Sequence, residues 1–473
     1  MQQVPRSQFL DPNASNGTRA LFSKAAIASL ILAAMGTNPA VAQLGPQLTP
    51  SGAEKAASAD GVIPAWVPPG PQDVGWTYGK YRGDHWKYKD DKPLYTIDAS
   101  NYEKYAAKLS PGQIEMFKKI KGYTMTVYPT RRSCAVPDFV AENTKKNIGF
   151  AKMDQAGFGL EEAYVPGFPF PQPKNGVEAM WNSKMRYRGV SLEEPKANFS
   201  VSPKAGSEDW IATVSDQLFY FPWGKRGSTL YSQTGKIDQY AYYLYSKPAS
   251  FAGQAGIFTM KATDPAETFI YFPGQRRVRR MPSYGYDSPA LGTDNQYNVD
   301  EASVFWGAMD RFDWKLAGTK EMIVQYNSFG LYDFKAKVED VAKPNFVDPG
   351  HRRYETHRVV VLELTVRSGM RHAAPKRLVY LDEDSWAPSM AVDFDAKGNV
   401  WKVREGNIIP VYETGACDVA AFSQYNMAEG RYLFDVTTLA SGADARWVTD
   451  AGKDERLKPA FFTADNLRSI SDR

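Results

Sequence analysis

The stretch Ala266–Met281, AETFIYFPGQRRVRRM, decides how the chain must fold. Glu267, Phe269 and Tyr271 share one face of a period-two strand and Thr268, Ile270 and Phe272 the other, so its middle is apolar on both sides. Antiparallel strands usually keep one wet face, and a strand with two dry ones has to be covered twice, by helices or across a cavity. Pro273-Gly274 then turns the chain into four arginines, Arg276, Arg277, Arg279 and Arg280, placed around Val278. If that segment is extended, Arg277 and Arg279 face one way and Arg276 and Arg280 the other. Such a run serves either as a charged sheet edge that repels a second edge or as a rim for an anionic group, which a guanidinium fork grips by two parallel hydrogen bonds.

Working outward, the pattern after Asn198 is strand-like. Strands are expected over 210–223, 238–245, 256–262, 321–329, 357–367, 377–382, 389–395 and 400–404, with the last two joined by the turn Ala396-Lys397-Gly398-Asn399. In 357–367, Val360, Leu362, Leu364 and Val366 oppose Glu363, Thr365 and Arg367, the pattern of a half-buried strand. One or two helical turns are expected over 300–309. Before Asn198 the spacing is helical: 101–120, broken by Ser110-Pro111; 138–153; and a helix capped by Asn175 that carries Val177, Met180, Trp181 and Met185. Helices first and an antiparallel meander after them make an α+β chain. Residues 43–75, rich in Pro, Gly and Ala, form an extended lead-in.

Aromatic residues make up 13% of the 473 residues, with 27 Tyr, 25 Phe and 11 Trp. Tyr and Trp join an apolar body to a polar tip, so this content fits either a Tyr-rich sheet or a partly wet ligand cleft. At the N-terminus Arg19 and Lys24 precede the apolar run Ala25–Met35, and Ala40-Val41-Ala42 supplies the small residues of a cleavage site. An export signal over 1–42, cut after Ala42, and a periplasmic destination follow. Removing it leaves 54 basic and 52 acidic residues, from 57 and 53, a net charge of +2 that gives no reason to expect a nucleic-acid partner. Two cysteines, Cys134 and Cys417, most simply pair in an oxidising compartment.

Motifs of chemistry are sparse. His85, His351, His357 and His372 match no common zinc spacing, HExxH is missing, and no metal or other cofactor is expected. Nucleophile-elbow, phosphate-loop and dinucleotide fingerprints are also missing. Glu161-Glu162 and Asp382, Glu383 and Asp384 read as solvated turn carboxylates.

Three motifs together carry a resemblance: FPFPQPKNGVEAMWN (Phe168–Asn182), YFPGQRRVRR with the downstream LGTD (Leu291–Asp294), and the hairpin from Arg377 to Val403. They resemble an uncharacterised proteobacterial family of exported proteins, often labelled outer-membrane lipoprotein-sorting protein and grouped with the LolA/LolB carriers. The resemblance implies an incomplete antiparallel β-barrel with a helical cover around a cavity for acyl chains. It also implies a hydrophobic small molecule, lipid or lipoprotein acyl chain as ligand, and a resistance-nodulation-division-type permease or an outer-membrane protein as partner.

The expected division is 1–42 signal, 43–195 extended and helical cover, 196–440 half-barrel and 441–473 tail. Cavity candidates are Met180, Trp181, Phe219, Phe221, Trp223, Phe269, Tyr271 and Trp306, and the four arginines are the candidate anionic-headgroup or partner surface. A carrier without enzymatic activity is the leading expectation. A hydrolase or isomerase acting on a lipid-like substrate in the same cavity, or a structural adaptor for a transport complex, are the alternatives.

Overall fold

A computed structural model describes residues 44–471, apart from 264, 282, 283 and 437. The expected export signal and its cleavage point lie outside the described residues. Thirteen strands build the frame: β1 Ser191–Val201, β2 Ile211–Tyr220, β3 Gln239–Lys247, β4 Ala255–Met260, β5 Glu267–Phe272, β6 Arg277–Arg280, β7 Phe312–Gln325, β8 Tyr354–Val366, β9 Lys376–Asp382, β10 Pro388–Phe394, β11 Val400–Gly406, β12 Phe422–Asn426 and β13 Arg431–Val436. In space β7 to β13 form one antiparallel meander and β1 to β6 a second. β13 joins them by pairing with β1, Leu433 opposite Val201. Three short strands extend the sheet: Tyr95–Ile97 and Met125–Val127 beside β8, and Arg446–Val448 on β1. The sheet does not close on itself. The expected α+β class, an open antiparallel half-barrel with helical cover, is the architecture the chain has.

Four helices of eight residues or more accompany the sheet among the described residues: α1 Pro111–Lys119, α2 Asp138–Asn147, α3 Gly176–Lys184 and α4 Ala464–Ser471. α1 begins where Ser110-Pro111 breaks the helical run. The Ser110 hydroxyl accepts from the Gln113 N–H at 3.1 Å while Gln113 Oε1 accepts from the Ser110 N–H at 2.9 Å, a reciprocal cap that satisfies two orphan donors. Gly112 lets α1 lie directly on Val392 and Val403, side chains of β10 and β11. Asn175 caps α3 by accepting from Glu178 N–H, and α3 packs on β7, where Gly176 meets the Trp314 backbone. On the opposite face of β2–β5, Leu457, Phe462 and Leu467 bury Leu218, Ile257 and Tyr271. The segment expected as a tail is therefore a second cover.

Several expectations change. β1 begins at Ser191, ahead of the expected start of the sheet, and is interrupted by Pro195. A bulge at Lys196 (φ 52°), with a register shift between Glu194 and Ala197, lets the strand carry that proline. β8 is buried on both faces as far as Leu362, not half-buried, because the N-terminal segment lies across it: Arg358 Nη1 donates to Ala56 O at 3.0 Å and Thr130 Oγ1 to Thr356 O at 2.8 Å. The helix expected over 300–309 is a single 3-10 turn, Val299–Glu301. Ser303 and Val304, at φ 45° and 75°, sit in the left-handed region and stop it.

Candidate functional site

Along β1–β4 the side chains that point inward include four aromatic rings, Phe199, Phe219, Tyr243 and Phe258, all half-buried. Phe219 meets Tyr243 edge-on at 5.8 Å, and Tyr243 meets Phe258 at 5.3 Å, a diagonal ladder across three strands. Residues 284–306 run over these rings as a lid of irregular chain, and the space between is a cleft in two connected parts. The inner part is lined by Arg188, Gln217, Phe219, Gln239 and Trp306. The outer part is lined by Tyr245, Phe258, Tyr284 and Leu291. Phe199, Tyr243, Met260, Tyr297 and Ala302 line both. The wall is thus mixed toward the interior and more apolar toward the mouth. Gln239 Oε1, in the inner part, has no hydrogen-bond partner.

The lid is held by ion pairs inside the protein. Asp300 accepts from Arg377 Nη1 at 2.6 Å and lies 3.0 Å from His372 Nε2, and Glu301 accepts from Lys402 Nζ at 2.9 Å and Gln424 Nε2 at 3.0 Å. Arg404 grips Asp393 with two bonds of 2.8 and 2.7 Å and donates to Val304 O at 2.8 Å. Three carboxylates face three cations in a dry network, the condition under which buried charges are tolerated. Burial alone would raise the Asp300 carboxyl, but Arg377 and His372 hold it well below the ordinary range. At the mouth, Gly292 (φ 74°) passes Thr213 so closely that a Cβ would lie 2.6 Å from its hydroxyl. The motif Leu291–Asp294 is therefore lid, fixed at its end by Arg431 Nη1 on Asp294 at 2.7 Å.

The cavity candidates divide. Phe219 and Trp306 line the cleft, and Trp306 Nε1 points at Met260 Sδ, 2.7 Å away. Behind Trp306 lie Lys184 and Asp238, paired at 2.8 Å, and Trp223 donates to Asp238 O at 2.6 Å. Met180 and Trp181 are core, with Trp181 Nε1 on Phe158 O. Phe221 is buried under the Arg188 guanidinium, 4.7 Å from its ring. Phe269 and Tyr271 face the other side of the sheet, under the C-terminal cover. Arg277, Arg279 and Arg280 are exposed on β6, the edge strand, with Arg276 in the turn before it. They stand two strands beyond β4, the last of the strands that line the cleft. Arg279 Nη2 bonds Gln275 Oε1 at 2.6 Å and Arg280 lies 3.3 Å from Glu267.

The sequence reading passed over Phe199, Tyr243, Phe258 and Tyr297. A signal was present in DQYAYYLY, whose two faces are both aromatic: Tyr240 and Tyr242 go outward and Tyr243 and Tyr245 inward. It also mistook Asp382, Glu383 and Asp384 for solvated turn residues. All three are buried, because Arg132 pairs with Asp384 at 2.7 Å and Arg358 stands 3.5 Å from Glu383. Arg186 and Arg188 were likewise unseen. They share one carboxylate, Asp418, at 3.2 and 2.9 Å.

An open antiparallel sheet whose inner face is roofed over an aromatic cleft defines an α+β cavity protein. The chain belongs to the family described as a protein of unknown function (DUF1329), which matches residues 96–468. The uncharacterized protein PA3922 of Pseudomonas aeruginosa is 35% identical over 419 residues, covering 86% of this chain and 89% of that one. A domain from Vibrio parahaemolyticus named for outer membrane lipoprotein sorting is similar at 14% identity and TM-score 0.41, over 62% of this chain and 98% of that domain. The LolA superfamily protein NE2245 from Nitrosomonas europaea is similar at 13% identity and TM-score 0.35, over 62% and 99%. Among the described residues no helix is long and apolar enough to cross a membrane.

Proposed function

We propose that the protein is a periplasmic carrier without enzymatic activity that holds a small amphiphile in the cleft under residues 284–306. The observation that carries this reading is the polarity gradient of the wall. Half-buried rings at the mouth suit an apolar chain, and the unpartnered Gln239 Oε1 in the inner part suits a hydroxyl or amide donor on the ligand. The export-signal pattern of residues 1–42 supports the compartment, and the resemblance to envelope lipoprotein-sorting proteins supports the ligand class. In the finer reading the ligand passes to or from an envelope permease or an outer-membrane protein, with the β6 arginines as the contact for an acidic partner surface or headgroup.

The test is ligand recovery and block. Native mass spectrometry of protein purified from its own envelope is expected to find a bound lipid-like molecule. A fluorescent fatty-acid probe is expected to bind the wild type and to bind Ala302→Trp at least about tenfold more weakly, since Ala302 lines both parts of the cleft. Absence of both copurified lipid and probe binding in the wild type would sink the carrier reading, as would equal binding by a folded Ala302→Trp protein. Chemical conversion of an ester probe would replace it with the enzyme reading.

A further inference from the structure

One cluster outside the cleft has the donors of a metal centre. His357 on β8, Asp382 at the end of β9 and Asp384 in the β9–β10 turn are buried, and one ligand atom from each lies within 4.8 Å of the other two. The carboxylates on either side of Asp382 are well answered. Glu355 takes the Arg131 N–H at 2.7 Å, Arg353 Nε at 2.6 Å and Asn327 Nδ2 at 2.9 Å. Asp384 takes Arg132 Nε and Nη2 at 2.8 and 2.7 Å. Asp382 Oδ2 takes the Ser385 N–H at 2.9 Å, the Ser385 hydroxyl at 2.5 Å and the Tyr326 hydroxyl at 3.2 Å. Asp382 Oδ1 takes nothing, although Asp382 is fully buried.

The histidine beside it is turned the same way. Glu355 Oε2 lies 3.1 Å from His357 Nε2, and a carboxylate that accepts from an arginine, an amide and a backbone N–H is an acceptor there too, so Nε2 carries the hydrogen. In the neutral ring that leaves Nδ1 as a bare lone pair, 4.0 Å from the unanswered Asp382 Oδ1. Tyr326 stacks on the ring at 3.6 Å and fixes its plane. Two acceptors facing each other across 4.0 Å in a dry interior need something positive between them. A carboxylate behind the distal nitrogen of a histidine is the arrangement that orients metal-ligating imidazoles and raises their basicity.

We propose that His357 Nδ1, Asp382 Oδ1 and an Asp384 oxygen form a buried site for a divalent transition-metal cation, with Glu355 as the positioning residue of the histidine. One nitrogen and two carboxylates suit Zn²⁺ or Mn²⁺ better than Ca²⁺, which takes oxygens only. Ligands about 2.0–2.2 Å from one tetrahedral ion stand about 3.3–3.6 Å apart, so the His357–Asp382 pair at 4.0 Å has to close by about half an ångström and Asp384, within 4.8 Å of both, by no more than about 1.5 Å. Asp384 can do this while keeping Arg132, since each carboxylate oxygen has two lone pairs. The ion would tie β8 to the β9–β10 turn on the side where Tyr326 reaches Cys134 Sγ at 2.8 Å.

Because the cluster is enclosed, the ion has to enter as the chain folds. The full chain is unfolded in guanidinium with EDTA and no reductant, refolded with Zn²⁺ or Mn²⁺, desalted, and its metal measured by plasma mass spectrometry. A chain secreted into Zn²⁺-supplemented medium is measured alongside it, so that poor refolding does not decide the outcome. About one ion per chain is expected in the wild type, with at least a tenfold loss in Asp382→Asn and in His357→Gln. A Co²⁺-refolded wild type is expected to show the visible absorption of nitrogen and oxygen ligation. Folded wild type without stoichiometric metal in either preparation overturns the proposal and leaves a proton between His357 and Asp382. Undiminished metal in the two variants overturns it as well, by placing the ion elsewhere.

Discussion

Asp418 carries more than its share of charge. Its two oxygens hold Arg186 and Arg188, and Oδ2 also accepts from Trp447 Nε1 at 2.9 Å. Arg186 keeps one guanidinium nitrogen without a partner, and burial together with Arg188 pushes it down to about 10. Burial would raise Asp418, yet Arg188 and Arg186 hold it at about 2. Its folded pKa lies below the unfolded value near 3.9, so the ionised form favours folding. That contribution is complete above about pH 4 and drains away as pH falls toward 2. Asp418→Asn is expected to lose about 3–5 kcal/mol at pH 7, because two cations are left facing a neutral amide. It is also expected to show a shallower stability slope between pH 4 and 2 in urea titrations. None of this could be read in sequence: Arg186 and Arg188 stand some 230 residues from Asp418, and only the fold gives them a common partner.

Elements follow the same division between local and distant causes. The cap and break at Ser110-Pro111, the Asn175 cap and the turn after β10 are decided within a few residues, and α1, α3 and the hairpin appear where the sequence puts them, while α2 stops at Asn147, short of the expected 153. β12 and β13 gave no warning. FSQYN and RYLFDV are short, and their flanks, Ala420-Ala421 and Glu429-Gly430, look like ordinary loop; they become strands because β11 and β1 offer open edges on either side. Ile270 and Tyr271, on opposite faces of the doubly apolar β5, are both buried, Tyr271 under the C-terminal segment, while the side chosen for the ligand did not follow from the pattern. β6 finishes the sheet with exposed cations. Arg277→Ala with Arg279→Ala is expected to change unfolding free energy by no more than about 1 kcal/mol, and to raise self-association measured by light scattering at low salt, since the charges that keep a second edge away are gone. A large stability loss instead would mean that the edge arginines brace the turn at Pro273.

At the scale of the molecule the first part of the chain is fastened by the last. Arg82 sits between the rings of Trp76 and Trp447, at 4.4 and 4.9 Å, and grips Glu413 at 2.7 Å. Arg132 holds Asp384, β1 pairs with β13, and Cys134 is bonded to Cys417 across a sequence separation of 283 with a Cα–Cα distance of 5.2 Å. The sequence allowed this disulfide and the compartment argued for it. What it could not supply was the set of contacts that bring the two cysteines together. Replacing both by serine is expected to cost up to about 5 kcal/mol on the chain-entropy account of so long a loop, read from the urea midpoint of protein that still folds. A shift near zero would mean that the surrounding contacts already hold the two segments together in the unfolded ensemble.

That fastening also orders events in time. A chain that emerges N-terminus first has β1 in hand long before β13 exists to pair with it, and Arg82, Arg132 and Cys134 wait equally long for their partners. Non-local pairings of this kind make folding slow, with sheet edges open meanwhile. The wait nevertheless carries no risk of choosing wrongly within the chain. With only two cysteines, one intramolecular pairing is available, so a thiol held idle through synthesis has a single mate to find, and any error can only be committed with a neighbouring copy.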